Sequence, residues 1–134
     1  KRYHYTDAYC YSKCANILFT RELQNREGSE NFKAVCLQPG IVRTDLFRNM
    51  KQGSCLKCFV SCSLFITYPC TKSVQEGSVN SLHCSLEDFD KLVPGGYYLD
   101  CKLTQTSKDA SNEEYMKTLW AKSEELTGIK YSNI

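Results

Sequence analysis

The sequence predicts an α/β protein, and three patterns carry that prediction. Asp7 to Arg26 have the period of an amphipathic helix, and Asn112 to Leu126 repeat that period near the end of the chain. Between them, Phe32 to Leu37 form an apolar run with the length of a buried strand, closed by the turn signal Pro39-Gly40. At 134 residues the chain has the size of one small domain, so these elements are expected to share one core.

The first predicted helix places apolar side chains at steps of three and four residues. They are Ala8, Ala15, Leu18, Phe19 and Leu23. Thr6 or Asp7 is expected to cap the start of this helix. Gly28 follows its end, where a left-handed residue is favourable. The sequence therefore opens on one long helix.

Tyr9 and Lys13 are the candidate catalytic pair on that helix. Residues at i and i+4 lie one above the other, so these two side chains are expected to project together. A phenol ionises near pH 10, and an ammonium about 4 Å away favours the phenolate by roughly 4 kcal/mol at an effective dielectric constant of about 20. A tyrosine in that setting can exchange a proton with an alcohol or a carbonyl oxygen at neutral pH. The competing interpretation is an ordinary solvated helix face.

Two other tyrosines receive no catalytic role. Tyr11 lies about 200° from Tyr9 around the helix, so packing is its expected role. Tyr68 and Lys72 repeat the Tyr-x-x-x-Lys spacing, but Pro69 disfavours a helical conformation at Tyr68. The second copy shows that this spacing alone is a weak signal.

The loop Pro39 to Thr44 is the second candidate site. In an open parallel sheet, ligands bind beyond the carboxyl ends of the strands, where this loop would emerge. Gly40 lets the backbone approach a planar ring, Pro39 fixes the exit angle of the chain, and Val42 can offer backbone groups. The alternative is a simple strand-to-helix turn that Thr44 or Asp45 caps.

Nine cysteines is a high and odd number, which excludes complete intramolecular pairing. Cys55 and Cys58 form a C-x-x-C pattern with Cys62 four residues later, and Cys70 or His83 could complete a zinc site. No second paired-cysteine motif accompanies them. We therefore interpret the cysteines as free, small apolar side chains of an intracellular protein and predict no metal.

Charge and hydropathy restrict the partners. The net charge is +2 and no basic run is present, which argues against a nucleic-acid partner. The most apolar run, Leu56 to Pro69, is interrupted by polar residues and is too short to span a bilayer. It could lie against a membrane surface or over a substrate.

Several motifs in order resemble one known family. They are YCYSKCANILFTREL, VCLQPGIVRTDL, TYPCTKSVQEGSVNSLHCSLE, GGYYLDCKL and LWAKSEELTG. Together they are similar to the short-chain dehydrogenase/reductase family, and within it to the retinol dehydrogenase-like group. The resemblance covers nearly the whole chain.

The resemblance implies the C-terminal part of a Rossmann-type, doubly wound parallel sheet in the order helix–strand–helix–strand–helix. Gly96 to Cys101 would be a second strand parallel to the first, and Lys72 to Leu86, capped by Thr71 or Ser73, would be the crossover helix. The family's glycine-rich pyrophosphate turn and its substrate-orienting serine would belong upstream. Residues 1–134 are therefore expected to be the C-terminal part of a single NAD(P)-binding domain.

The resemblance also implies roles for individual residues. Tyr9 would be the general acid/base, and Lys13 would assist it and bind the nicotinamide ribose. Pro39 and Gly40 would line the nicotinamide ring, while Val42 and Thr44 would meet its carboxamide. The cofactor would be NADP(H) or NAD(H).

The expected function is hydride transfer to or from a small apolar alcohol or carbonyl, such as a retinoid, steroid or lipid aldehyde. The apolar segment Asp45 to Phe65 would cover that substrate. We expect little activity from the 134-residue piece alone, and a non-catalytic interaction protein derived from a truncated dehydrogenase is the alternative. The expected location is cytoplasmic or at the endoplasmic-reticulum membrane, with a homodimer of the full-length protein as an open option.

Overall fold

The structure, a computed structural model, describes residues 4–43 and 71–131. In chain order the elements are α1 (Tyr5–Glu27), β1 (Cys36–Gln38), α2 (Val74–Leu86), β2 (Tyr97–Leu99), β3 (Lys102–Leu103) and α3 (Glu113–Thr127). Short 3-10 turns lie at Phe89–Lys91 and Asp109–Ser111. The predicted order helix–strand–helix–strand–helix is confirmed, and the short strand β3 is an addition to it.

The sheet has the order β1-β2-β3 and is mixed. β1 and β2 are parallel, with Cys36 opposite Tyr97 and Gln38 opposite Leu99. The helix α2 connects them along the chain, as a parallel pair requires. β3 pairs with β2 in the antiparallel direction. The predicted parallel pair is therefore confirmed, while the outer edge is closed by a hairpin that the sequence analysis missed.

The hairpin turn corrects the predicted extent of the second strand. Asp100 and Cys101 were expected to extend it, but both have positive φ angles, 51° and 61°. Two consecutive left-handed residues make the primed turn whose twist matches a two-residue hairpin. Asp tolerates the left-handed conformation but Cys does not favour it, so only one of the two residue types indicates such a turn.

Helices cover both faces of the sheet. Cys36 on β1 lies beside Thr20 of α1, and Tyr97, opposite Cys36, points to the same side. The next residue along β2, Tyr98, faces α2 instead, with its ring 6.1 Å from the His83 ring. Because successive strand residues alternate between faces, α1 and α2 lie on opposite sides. This is the layering of a doubly wound fold.

α1 and α3 pack against each other around Trp120, which is 7% exposed. The indole stacks on Phe19 with ring centroids 5.3 Å apart, and the Arg26 guanidinium lies 4.7 Å from its centroid. Tyr131 meets the indole edge-on at 5.4 Å. Trp120 is therefore a core anchor.

The ends of α1 differ from the prediction. Its N-cap is His4, without a side-chain cap, and Thr6 and Asp7 lie inside the first turn, where an acidic side chain still complements the helix dipole. Gly28 does end the helix, but its φ is −49° rather than left-handed. A Cβ there would lie 3.0 Å from the Gln24 carbonyl oxygen, so the glycine is needed for a close approach.

The other two helices have regular caps, and the cap of α2 is one of the two predicted residues. Ser73 caps α2 in a reciprocal capping box with Glu76. Gly128, with φ 69°, ends α3 in the left-handed conformation. Tyr11, which was expected to pack, is exposed instead, with 74% of its surface accessible.

Candidate active site

The direction of α1 places Tyr9 at the carboxyl edge of the sheet. Near the other end of the helix, Gln24 Oε1 accepts a hydrogen bond of 2.7 Å from the Ala34 amide, just before β1 begins. Tyr9 precedes Gln24 by fifteen residues, roughly 22 Å along a helix axis. β1 spans only three residues, roughly 10 Å. Tyr9 therefore lies beyond the end of β1 from which the Pro39 loop leaves.

Tyr9 and Lys13 lie side by side, as their spacing predicts. The Lys13 ammonium is 5.5 Å from the centroid of the Tyr9 ring. Tyr9 is 60% exposed, and its carbonyl oxygen accepts a hydrogen bond of 2.7 Å from the Ser12 hydroxyl. The arrangement puts a cation against an accessible phenol at the helix start.

A cavity of about 280 Å³ adjoins Lys13. Its lining residues come from α1, from the start of β2 and from the segment before α3: Lys13, Cys14, Ile17, Tyr97, Gln105, Thr106, Ser107 and Ala110. The Tyr97 hydroxyl donates a hydrogen bond to Gln38 Oε1, and Gln38 directly precedes Pro39. Tyr97 thus links the Lys13 cavity to the base of the Pro39 loop.

Burial raises the pKa of the Tyr97 hydroxyl, and the neighbouring Cys36 adds to that shift. Tyr97 therefore remains a neutral hydrogen-bond donor to Gln38. The sequence alone assigns neither Tyr97 nor Gln38 a role. The alternation of side chains along a strand could have indicated this role, because it places the Tyr97 side chain on the face of the sheet that α1 covers.

The loop after β1 is held by Lys72. Gly40 adopts φ 86°, and the chain then runs beside Lys72 as a short parallel bridge centred on Val42. Ile41 O accepts from the Lys72 amide at 2.8 Å, and the Arg43 amide donates to Lys72 O at 2.9 Å. The bridge uses backbone groups of Ile41 and Arg43, so it requires none from Val42. This is compatible with Val42 offering its own backbone groups to a ligand.

Val42 is also fixed through its side chain, which packs against Gly77 in α2. A Cβ at Gly77 would lie only 2.5 Å from Val42 Cγ2. This glycine is therefore required for the helix to approach the loop. The sequence alone does not indicate this role for Gly77.

Asn80 ties the carboxyl ends of the strands together. It is 2% exposed, and its amide nitrogen donates to the carbonyl oxygens of Gln38 and Tyr98 at 2.8 and 2.9 Å. Its side-chain oxygen accepts a hydrogen bond of 3.0 Å from the Cys101 amide. An asparagine in the middle of the predicted crossover helix could have indicated this role, because a polar side chain that becomes buried there must find hydrogen-bond partners.

The structure thus brings Tyr9, Lys13, Pro39, Gly40 and Val42 to one edge of the sheet. The cavity beside Lys13 is lined without residues of the Pro39–Val42 loop, so the two halves of the candidate site are adjacent rather than joined.

Other predicted features lie outside the described residues. They are Thr44, the segment Asp45 to Phe65, Tyr68, and the cysteines Cys55, Cys58, Cys62 and Cys70. Within residues 4–43 and 71–131, no three His, Cys, Asp or Glu side chains converge to hold a metal ion. Among the helices of that same part, none has the length and hydropathy of a membrane-spanning segment.

Fold and site together define one class of protein: a doubly wound α/β domain with a Tyr-x-x-x-Lys helix start beside the carboxyl edge of its sheet. The chain is 40% identical to retinol dehydrogenase 12 of Homo sapiens over 131 residues, which are 98% of this chain and 39% of that protein. It is 33% identical to human retinol dehydrogenase 11 over 122 residues, 91% of this chain and 36% of the relative.

Human retinol dehydrogenase 14 is 34% identical over 127 residues, 93% of this chain and 37% of the relative. The chain thus spans about two fifths of the length of these curated relatives. No family model matches it. No solved structure matches it significantly. Over nearly its whole length the chain is thus similar to retinol dehydrogenases, which belong to the short-chain dehydrogenase/reductase family.

Proposed function

We propose that the chain is part of an oxidoreductase that transfers a hydride between NADP(H) or NAD(H) and an apolar alcohol or carbonyl compound. The observation that carries this proposal is the pairing of Tyr9 with Lys13 at the carboxyl edge of the sheet, in a chain similar to this family. The adjacent loop with Gly40 at φ 86° supports it, because an open backbone at that edge suits a planar ring.

Tyr9 is the proton donor to the carbonyl oxygen in reduction and the acceptor from the alcohol in oxidation. When bound, the nicotinamide supplies or accepts the hydride. Lys13 stabilises the negative charge that develops on the phenol oxygen during proton transfer. At a separation of about 5 Å, two unit charges interact by roughly 1 kcal/mol in water and roughly 3 kcal/mol at an effective dielectric constant of about 20. Excluding water from Tyr9 and Lys13 therefore increases the stabilisation that the ammonium gives to the phenolate.

The cofactor-contacting roles follow the two halves of the site. Lys13 also binds the ribose hydroxyls, Pro39 and Gly40 line the nicotinamide ring, and Val42 holds the carboxamide through its backbone. We keep Thr44 as a further carboxamide contact. The chain contains no glycine-rich turn that could hold a pyrophosphate, so these residues fit the nicotinamide end of the cofactor.

The names of the relatives, retinol dehydrogenases, favour an apolar substrate for this chain. Retinoids, steroids and lipid aldehydes share the required chemistry, an oxygen at the end of an apolar body. The apolar side chains of the segment Asp45 to Phe65 favour this class.

The test replaces the matched stretch of human retinol dehydrogenase 12 with this chain and measures NADPH-dependent reduction of retinal. In that chimera, Tyr9→Phe should lower kcat by about 100-fold or more, the usual contribution of a general acid. Tyr11→Phe is the matched control, since Tyr11 is exposed on another side of the same helix and should leave the rate unchanged. NADPH binding, followed by nicotinamide fluorescence, shows that both variants are folded. A rate within about twofold of the parent chimera in a folded Tyr9→Phe variant would refute the assignment.

A further inference from the structure

We propose that Lys72 is a positioning residue for the Pro39–Val42 loop and holds Val42 where its backbone can meet the nicotinamide carboxamide. This role in cofactor binding rests on the function proposed above. The spacing that made Lys72 look like a second catalytic lysine is incidental, because its side chain lies over the loop.

Lys72 engages the loop through both its backbone and its side chain. The main chain of Lys72 makes hydrogen bonds of 2.8 and 2.9 Å to Ile41 and Arg43, on either side of Val42. Its ammonium makes an ion pair with Asp100 in the β2–β3 turn. Between these contacts, the side chain passes Gly40 so closely that a Cβ there would lie 3.3 Å from its Cε and Nζ atoms. Lys72 thus forms a strap from the start of the α2 segment, just before the N-cap Ser73, across the loop to the hairpin.

The anchor of this strap is itself fixed. Asp100 occupies a left-handed position with φ 51°, and the amide of the next residue, Cys101, is bound to the buried Asn80 at 3.0 Å. Asn80 also binds Gln38 O, at the base of the loop. Asn80 of α2 therefore holds both the hairpin and the loop, and the ion pair of Lys72 with Asp100 joins the two directly.

The Lys72 strap affects the local opening of the loop rather than the stability of the whole fold. The side chains of Lys72 and Asp100 are 32% and 60% exposed, and pairs of that kind contribute little to global stability. Removing the ammonium should therefore leave the fold intact while the loop opens more often. An ion pair at such a site corresponds to a factor of about two to five in a local opening equilibrium.

Hydrogen exchange on the 134-residue chain tests the strap directly. In Lys72→Met, which keeps the stem but removes the charge, the amides of Arg43 and of residue 72, which hydrogen-bond across the bridge, should exchange about two to five times faster. Lys72→Arg should restore slow exchange. The matched control is Lys91→Met, because Lys91 is also ion-paired, to Asp88 at 2.7 Å and to Glu87 at 3.1 Å, outside the loop. Amides of α3 should be unaffected in every variant.

Two results would overturn the proposal. One is unchanged exchange in the loop of Lys72→Met, and the other is an equal acceleration in the loop and in α3, which would mark general destabilisation.

In the retinol dehydrogenase chimera, Lys72→Met should raise KM for NADPH by about two- to fivefold, with a smaller change in kcat. An unchanged KM would remove the link to the cofactor. Failure of Tyr9→Phe to lower activity, beside a positive exchange result, would reject the proposed function and leave the strap standing.

Discussion

Replacing Asn80 should show how much of the fold depends on one amide. Asn80→Ala leaves the carbonyl oxygens of Gln38 and Tyr98 and the amide of Cys101 without their side-chain partner. A hydrogen bond contributes about 1 kcal/mol net, and a buried group left unpaired costs about 1–3 kcal/mol. We therefore expect a loss of about 3 kcal/mol in the free energy of unfolding. That is a large share of the roughly 5–15 kcal/mol of a natural domain.

Asn80→Asp sharpens this test because it adds a charge. A carboxylate at this position would face two carbonyl oxygens that now lie 2.8 and 2.9 Å from the amide nitrogen. Burial and these oxygens should raise the pKa of the introduced carboxyl in the folded state above its unfolded value of about 3.9. A raised folded pKa means that stability is present at low pH and is lost as the pH rises through it. Asn80→Asp should therefore be less stable at pH 7 than near pH 4, relative to the parent chain.

Urea unfolding followed by circular dichroism provides the assay, at both pH values. Asn16→Ala is the control, because Asn16 is an exposed mid-helix asparagine in α1 and its removal should be neutral or stabilise by about 0.5 kcal/mol. A loss below about 1 kcal/mol in Asn80→Ala would refute the bridging role, since one hydrogen bond alone is worth that much. A pH-independent deficit in Asn80→Asp would refute the electrostatic part.

Two further substitutions address packing. Gly77→Ala should destabilise the chain by about 1–3 kcal/mol, because the new methyl group would lie 2.5 Å from Val42 Cγ2. Helix propensity alone would make this substitution stabilising by about 0.5–1 kcal/mol, so an unchanged or higher stability in urea unfolding would contradict the clash. Trp120→Ala should cost about 3–5 kcal/mol by removing the indole between Phe19 and Tyr131, and a fall in the thermal midpoint of less than about 3 °C would show that α1 and α3 do not depend on it.

The order of the elements could be predicted because each had a local cause. Helical period, the apolar run before Pro39-Gly40 and the cap residues Ser73 and Gly128 all act over a few neighbours. β3 could not be predicted because two residues are too few for alternation to register. The left-handed Cys101 is set by hairpin closure and by its bond to Asn80, neither of which is a property of cysteine.

In the candidate site, too, local contacts could be predicted from the sequence and long-range contacts could not. Tyr9 and Lys13 meet because four residues along one helix fix their relation, so the sequence alone predicted their contact. The contact of Lys72 with Asp100 and that of Tyr97 with Gln38 join residues 28 and 59 positions apart. No local pattern encodes contacts at such separations. The sequence therefore predicted the proposed chemistry, while the supports of the loop emerged only from the folded chain.

The two halves of the site are held to different degrees, which bears on how the proposed reaction would work. Asn80, Lys72 and Gly77 fix the loop through buried hydrogen bonds, a backbone bridge and direct packing. Tyr9 instead remains 60% exposed beside its lysine, in water that weakens their interaction from about 3 to about 1 kcal/mol. That difference of about 2 kcal/mol corresponds to a factor of about 30 in a proton-transfer equilibrium. In the proposed reaction the chain would therefore pre-organise the cofactor side of the site, and proton transfer at Tyr9 would reach its full strength only when cofactor, substrate or further protein excludes water from Tyr9 and Lys13.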